Sequence, residues 1–230
     1  MKKIIKKLIQ MMGYRVERVE RGSAVVDNLK SEWSVDLEVL AQRGESIPGM
    51  TSVQSGQYLF ALCYFQREEG DVVEIGSWQG RSTSFLAKAT KASGNGTLFS
   101  VDHFRGNKDK EAQYVFKKND LSDLKERFCT NMKQCEVDDV IHVLDMPSDD
   151  AATHIEDESV RFLFIDGDHS FAGVKRDVEL FMPKLCKGAI IAFDDYNAEF
   201  PGVVEVVDEL KSAINPSRAM TYPNTVVLRT

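Results

Sequence analysis

The chain has 230 residues, a net charge of −7 and 43% hydrophobic residues, which suits one well-buried α/β domain. Its acidic balance excludes a protein that binds nucleic acid broadly through a basic face. Four cysteines without a C-x-x-C pair or zinc spacing predict reduced thiols in a cytoplasmic protein, and no apolar run is long enough for a transmembrane helix.

The first twelve residues predict a basic amphipathic helix. Apolar residues from Ile4 to Met12 recur at helical spacing, and four lysines fall on the opposite side. We expect this helix to pack on the domain or on a second subunit, as in a homodimer, rather than to make membrane contact through residues 1–12. Residues 1–50 are expected to form an N-terminal helical extension, and residues 51–230 the main domain.

Strands and helices alternate along the rest of the chain. After a turn at 47–50, Ser52 is predicted to cap a helix that runs to about Glu69. Strands are expected at 71–75, 97–102, 139–144, 160–166 and 188–194, with helices at about 80–91, 121–134, 148–155, 171–185 and 202–213. The stretches 218–222 and 225–229 flank a turn and predict a closing hairpin. This alternation predicts a parallel sheet with right-handed crossovers.

The first strand ends in a glycine turn that is typical of a ligand-binding loop. Gly76 and Gly80 allow the backbone to approach a bound molecule, and Ser82 lies in the first turn of the next helix. Glu74 lies on the buried strand and needs a partner. Asp102 ends the second strand, where an acid accepts hydrogen bonds from a ribose diol. Together these residues predict a site for a cofactor that contains a nucleoside.

Acidic residues follow the fourth and fifth strands. Asp166 ends an apolar strand in the run Asp-Gly-Asp-His, and Asp194 and Asp195 end the next strand. The carboxyl ends of parallel strands share one edge, so these carboxylates are expected to crowd together and repel one another unless a cation intervenes. Oxygen ligands of this kind suit Mg²⁺. Residues 103–120, between the second strand and the next helix, form a polar insertion that predicts a lid or a substrate-binding segment.

These motifs resemble the class I S-adenosylmethionine-dependent methyltransferases. The pattern Glu-x-Gly-x-x-x-Gly from Glu74 to Gly80 carries the resemblance, and Ile-Asp-Gly-Asp-His at 165–169 makes it more specific. Over roughly residues 50–196 the chain is similar to metal-dependent O-methyltransferases of the catechol and sugar types and to a broad bacterial methyltransferase-domain family. The resemblance implies an α/β, Rossmann-like seven-stranded methyltransferase fold. Its sheet is mostly parallel with a C-terminal antiparallel hairpin, and helices cover both faces.

The resemblance also implies the site residues. The cofactor contacts fall on Glu74, Gly76, Trp78, Gly80, Ser82, Asp102, Ser148 and Asp166. The metal ligands fall on Asp166, Asp194 and Asp195, although the catechol group usually has asparagine at the third position. His169 occupies the position of the catalytic lysine in the catechol enzyme, so it is the predicted catalytic base, beside Asp166.

The function predicted from these residues is methyl transfer from S-adenosyl-L-methionine, with Mg²⁺, to a hydroxyl on a small-molecule or sugar acceptor. Two other functions stay open. A metal-dependent nucleotide-sugar glycosyltransferase would use Asp166 and Asp168 as a D-x-D motif, but it leaves Gly76, Gly80 and Asp102 unexplained. A non-catalytic protein that keeps the cofactor-binding fold is the other alternative. A nicotinamide oxidoreductase requires a different glycine pattern.

Overall fold

Seven strands build the central sheet of the protein, for which we have a computed structural model that describes residues 46–106, 120–216, 218–222 and 224–230. The strands are β1 (Asp71–Ile75), β2 (Leu98–Val101), β3 (Ile141–Leu144), β4 (Val160–Ile165), β5 (Leu185–Phe193), β6 (Arg218–Tyr222) and β7 (Thr225–Arg229). Their order is β3-β2-β1-β4-β5-β7-β6. The pairs among β1 to β5 are parallel, whereas β7 runs antiparallel to both of its neighbours.

Helices cover both faces of this sheet. They are α1 (Val53–Tyr64), α2 (Arg81–Ser93), α3 (Leu124–Gln134), α4 (Ser148–Ala151), α5 (Phe171–Phe181) and α6 (Pro201–Ile214). The first three share one apolar core with the sheet, and the last three share a second core on the opposite face. The predicted fold class and the closing hairpin are confirmed. Within the described ranges, no helix is both long enough and apolar enough to cross a bilayer.

Several predicted boundaries move for identifiable reasons. Ser52 caps α1 as predicted, but the helix ends at Tyr64 rather than near Glu69. The chain leaves the helix because Gln66 bonds the sheet instead, through the carbonyls of Arg161 and Gly188. α5 and β5 are separated by a 3₁₀ turn at Met182–Lys184, so β5 begins three residues before the predicted start at 188. The predictions for residues 1–45 and 107–119 lie outside the described residues.

A buried arginine closes the amino edge of the sheet. Arg161 of β4 is wholly buried and donates hydrogen bonds to three carbonyl oxygens, those of Cys63 (2.7 Å), Gly70 (2.9 Å) and Asn95 (3.0 Å). Cys63 lies in the last turn of α1, and Asn95 follows the end of α2. Because helix C-termini carry partial negative charge, a guanidinium is favoured there. Arg161 therefore joins two helices to the edge of the sheet that lies opposite the cavity described next.

Candidate active site

A cavity of about 800 Å³ opens at the carboxyl edge of the sheet. Residues that follow five successive strands line it, among them Gly76, Asp102, Met146, Asp166 and Asp194. Open α/β sheets bind ligands at this edge, and the volume lies within the usual range for small-molecule and cofactor sites. The residues predicted to bind the cofactor and the acidic residues that follow β4 and β5 therefore meet in one cavity.

The two glycines in the turn between β1 and α2 have different surroundings. Gly76 has φ of +90° and lines the cavity, and a side chain there would overlap the backbone carbonyl of Asp166. Gly80 has φ of +91°, and a side chain there would overlap Met132 of α3. Gly80 does not contribute to the cavity lining. The structure therefore places Gly76 at the cavity and Gly80 against α3, and a ligand contact of Gly80 stays a prediction.

Asp102 is held in place by backbone amides. Its Oδ2 accepts hydrogen bonds from the N–H groups of Ser77 (3.0 Å) and Trp78 (2.8 Å), and its Oδ1 accepts one from Phe104 (2.6 Å). These bonds fix the glycine turn relative to the end of β2. Each carboxylate oxygen has two lone pairs, so the group retains acceptor capacity toward the cavity that it lines.

Glu74 lies behind the glycine turn rather than at the cavity surface. It is wholly buried and accepts a hydrogen bond from the Thr83 hydroxyl of α2. Burial raises the pKa of the Glu74 carboxyl to about 7, although hydrogen bonds from Ser82, Thr83 and Ser77 act in the opposite direction. The structure therefore places the Glu74 carboxyl against α2, behind the cavity wall, and its predicted cofactor contact stays a prediction. Trp78, Ser82 and Ser148 do line the cavity.

Three side chains meet beyond the glycine turn. One ligand atom from each of Asp166, His169 and Asp195 lies within 4.8 Å of the other two. The Nε2 atom of His169 is 3.6 Å from Asp166 Oδ1 and 3.4 Å from Asp195 Oδ2. Asp194 faces the same cavity, but its Oδ1 accepts a hydrogen bond from Thr225 Oγ1 at 2.9 Å. The group thus differs from the predicted triad, because His169 joins Asp166 and Asp195 where Asp194 was expected.

The electrostatics of this group favour a positive charge. Burial, together with the nearby charge of Asp194, raises the pKa of Asp166 to about 8, although His169 acts in the opposite direction. Carboxylate oxygens are the ligands that Mg²⁺ prefers, so Asp166 and Asp195, with Asp194 in the same cavity, fit the metal that the resemblance implies. The His169 ring packs edge-on against Phe200, with ring centroids 4.7 Å apart, and this contact fixes its orientation.

The sequence analysis did not assign a role to several cavity residues with ionisable side chains, among them Arg81, His103 and Asp177. Asp177 is buried on α5, and burial raises the pKa of its carboxyl to about 6. Its signal was an acid among the buried apolar positions of that helix. The signal of Arg81 was a cation at the first position of α2, where the helix dipole disfavours positive charge. His103 had no signal beyond following Asp102.

One family model and several solved structures are similar to this chain. The model of a methyltransferase domain family matches residues 73–196. The structure of the O-methyltransferase NovP is 18% identical, with a TM-score of 0.66 over 99% of this chain and 96% of that one. An O-methyltransferase from Bacillus cereus in complex with SAH is 18% identical, with a TM-score of 0.59 over 90% and 97%. TomG from Streptomyces achromogenes, in complex with SAM, is 16% identical, with a TM-score of 0.59 over 90% and 96%.

The sheet order and the cavity at its carboxyl edge define a Rossmann-like methyltransferase fold. The chain belongs to the methyltransferase domain family, whose model covers more than half of it. The fold and the family match together identify the chain as a methyltransferase.

Proposed function

We propose that the protein transfers a methyl group to a hydroxyl on a small-molecule or sugar acceptor, assisted by a divalent metal. The observation that carries this proposal is that Asp166, His169 and Asp195 share one cavity with Asp102 and the glycine turn. A proton-accepting group thus lies in the same cavity as the cofactor site. The O-methyltransferase structures that share the fold support transfer to oxygen, and TomG is described as involved in tomaymycin synthesis.

The cavity residues near the ends of β1 and β2 support cofactor binding, because hydrogen bonds already fix the orientation of Asp102. Asp102, fixed by three backbone amides, would accept hydrogen bonds from the ribose diol. Ser82 lies in the first turn of α2, where unpaired amides favour a carboxylate such as that of the methionine moiety. Trp78 and Ser148 supply further walls. The bound cofactor supplies an activated methyl group on a positively charged sulfur.

On the acceptor side, His169 is the proposed base. Its Nε2 lies near Asp166 and Asp195, and negative neighbours stabilise the imidazolium that forms when the hydroxyl proton arrives at Nε2. Phe200 restrains the ring. Asp166 and Asp195 would hold Mg²⁺, with Asp194 as the predicted third ligand. The cation, when bound, supplies positive charge that lowers the pKa of an acceptor hydroxyl. Because Mg²⁺ prefers oxygen ligands, the imidazole is left for the proton.

The alternatives are less well supported by the same residues. Asp168, needed for a glycosyltransferase D-x-D pair, accepts a hydrogen bond from the Ser170 amide at the start of α5. The family match favours methyl transfer over that reaction. A non-catalytic cofactor-binding protein has the same cofactor site, so binding alone does not distinguish it, and the test must measure turnover.

The test combines calorimetry with turnover. S-adenosylhomocysteine is titrated into the protein with Mg²⁺ and again with EDTA, and labelled methyl transfer is measured on a panel of phenols and sugars. We expect micromolar binding, and an Asp195→Ala variant, which removes the ligand oxygens altogether, that loses about 100-fold in kcat with little change in cofactor affinity. Asp145→Ala is the matched control, since Asp145 is an acid that pairs with Lys125 and does not line the cavity.

Each outcome addresses a different part of the proposal. Absence of S-adenosylhomocysteine binding in either buffer would contradict the cofactor site. Full activity in EDTA, or in Asp195→Ala, would exclude the metal. Binding without methyl transfer to any compound of the panel would favour the non-catalytic alternative.

A further inference from the structure

Arg81 links the start of α2 to a segment that precedes α1. Its Nε donates a hydrogen bond to the carbonyl oxygen of Ile47 at 2.6 Å, and its Nη1 donates one to that of Thr51 at 3.1 Å. These two carbonyls lie at the two ends of the short stretch 47–51, which we call the cover segment. One guanidinium therefore holds both ends of the cover segment in a fixed relation to the glycine turn.

Arg81 occupies a costly position for a cation. It is the first residue of α2 and follows Gly80, which offers no side-chain cap. A positive charge in the first turn of a helix is disfavoured by the helix dipole. The two carbonyl bonds offset that cost, because they satisfy backbone acceptors in a segment without secondary structure of its own. An arginine at this position therefore points to a role in holding the segment.

Gly49 completes the contact from the other side. A Cβ atom on Gly49 would lie 2.7 Å from the Cβ of Arg81 and 3.1 Å from its Cδ. Real Cβ atoms do not approach so closely, so any larger residue at position 49 would push the cover segment away from Arg81. The glycine and the arginine thus form one packing unit.

The cover segment is part of the cavity wall. Gly49, Met50 and Thr51 line the cavity together with Arg81 and Ser82. Ile47 anchors one end in the core beside α1 and α2, and Ser52 begins α1 at the other end. Met50 is 66% exposed, which is unusual for a large apolar side chain in the described part of the protein. The wall thus has a fixed base and an exposed apolar tip.

We propose that Arg81 is a positioning residue that fastens the cover segment against the cofactor cavity. This inference rests on the proposed function, because it assigns the cavity to the cofactor. Removing the two carbonyl bonds frees the segment between Ile47 and Ser52, admits water and deprives the cofactor of one wall. The cost is expected in cofactor affinity, and hence in the KM for S-adenosylmethionine, more than in kcat.

The test uses two variants that break the contact from opposite sides. Arg81→Gln removes the forked donor, and Gly49→Ala displaces the segment while leaving the arginine in place. Both are expected to weaken S-adenosylhomocysteine binding about 10-fold by calorimetry and to speed amide hydrogen exchange in residues 48–52. Arg81→Lys is expected to restore affinity only partly, because lysine keeps the charge but lacks the planar fork.

Arg127→Gln is the matched control, since that arginine donates to a loop carbonyl, that of Asp120, and does not line the cavity. It should change neither readout. Unchanged affinity and exchange in both Arg81→Gln and Gly49→Ala would overturn the inference. If Arg81→Gln fails to fold, the uncharged Gly49→Ala change decides. If the wild-type chain does not bind S-adenosylhomocysteine, the proposed function fails, and the exchange of residues 48–52 still tests the fastening.

Discussion

At the scale of single residues, Glu74 has a protonation state that links folding to pH. The side chain is wholly buried behind the glycine turn, and burial raises the pKa of its carboxyl to about 7. An unfolded glutamate titrates near 4.3. Between these two values the folded protein retains a proton that the unfolded chain has lost. The contribution of Glu74 to stability is therefore complete below about pH 4 and falls as pH rises through about 7.

Replacing Glu74 with glutamine should flatten this dependence. Glu74→Gln cannot ionise, and its amide oxygen can still accept the Thr83 hydrogen bond. We expect the free energy of unfolding of the wild-type protein to fall by roughly 3 kcal/mol more than that of the variant between pH 4.5 and pH 8. Urea unfolding of both proteins at the two pH values provides the measurement. Equal changes in the two proteins would show that Glu74 is not the titrating group.

At the scale of elements, the turn between β1 and α2 brings the backbone of β1 against the end of β4. Gly76 combines a positive φ with a close approach to the Asp166 carbonyl. Gly94, the C-cap of α2, also has a positive φ of +63°, but a Cβ there would have no heavy atom within 4 Å. Substitution of Gly94 therefore tests the cost of the backbone conformation alone, whereas substitution of Gly76 adds the cost of steric overlap with the Asp166 carbonyl.

Alanine substitution at both positions tests this separation. Gly94→Ala should lose about 1 kcal/mol of stability, from the left-handed conformation alone. Gly76→Ala should lose about 3 kcal/mol or more, because the strands β1 and β4 must also move apart. Chemical unfolding measures both values. A Gly76→Ala protein as stable as Gly94→Ala would show that the turn relaxes without cost.

Some features of the fold and of the site could be predicted from the sequence, and others could not. Periodicity and the end of each strand predicted the parallel sheet, the closing hairpin and the shared edge of Asp102, Asp166 and Asp194, because these follow from local pattern. The contacts of Glu74 with Thr83 and of Gly80 with Met132 could not be predicted, since they are determined by packing between elements. The grouping of His169 with Asp195 depends on how a loop after β5 returns, and no local pattern encodes that return.

At the scale of the whole molecule, Arg161 connects elements that are far apart in sequence. Its three carbonyl partners come from the end of α1, from the residue before β1 and from Asn95, two residues after the end of α2. Replacing the buried donor leaves these carbonyls without their side-chain partner, at about 1–3 kcal/mol for an acceptor that stays buried, such as that of Cys63. We do not expect the hydrophobic contacts of an apolar side chain at position 161 to compensate for this loss.

Arg161→Met should therefore lower the free energy of unfolding by about 3 kcal/mol or more, with the cofactor cavity still formed in the molecules that fold. Arg67→Met, at an exposed arginine of the same region, should change it by less than about 0.5 kcal/mol. Thermal and chemical unfolding compare the two variants. A neutral Arg161→Met would mean that methionine packing replaces the bonds, as happens for some buried ion pairs.

The position of β7 between β5 and β6 has a consequence for synthesis. Residues 226–229 pair with the wholly buried half of β5, from Ile190 to Phe193. Until these residues have left the ribosome, β5 is an apolar strand with an open edge, which is the kind of surface that pairs with other chains. The nascent protein therefore exposes this edge between the synthesis of β5 and that of β7, and chaperones are expected to recognise it during that interval.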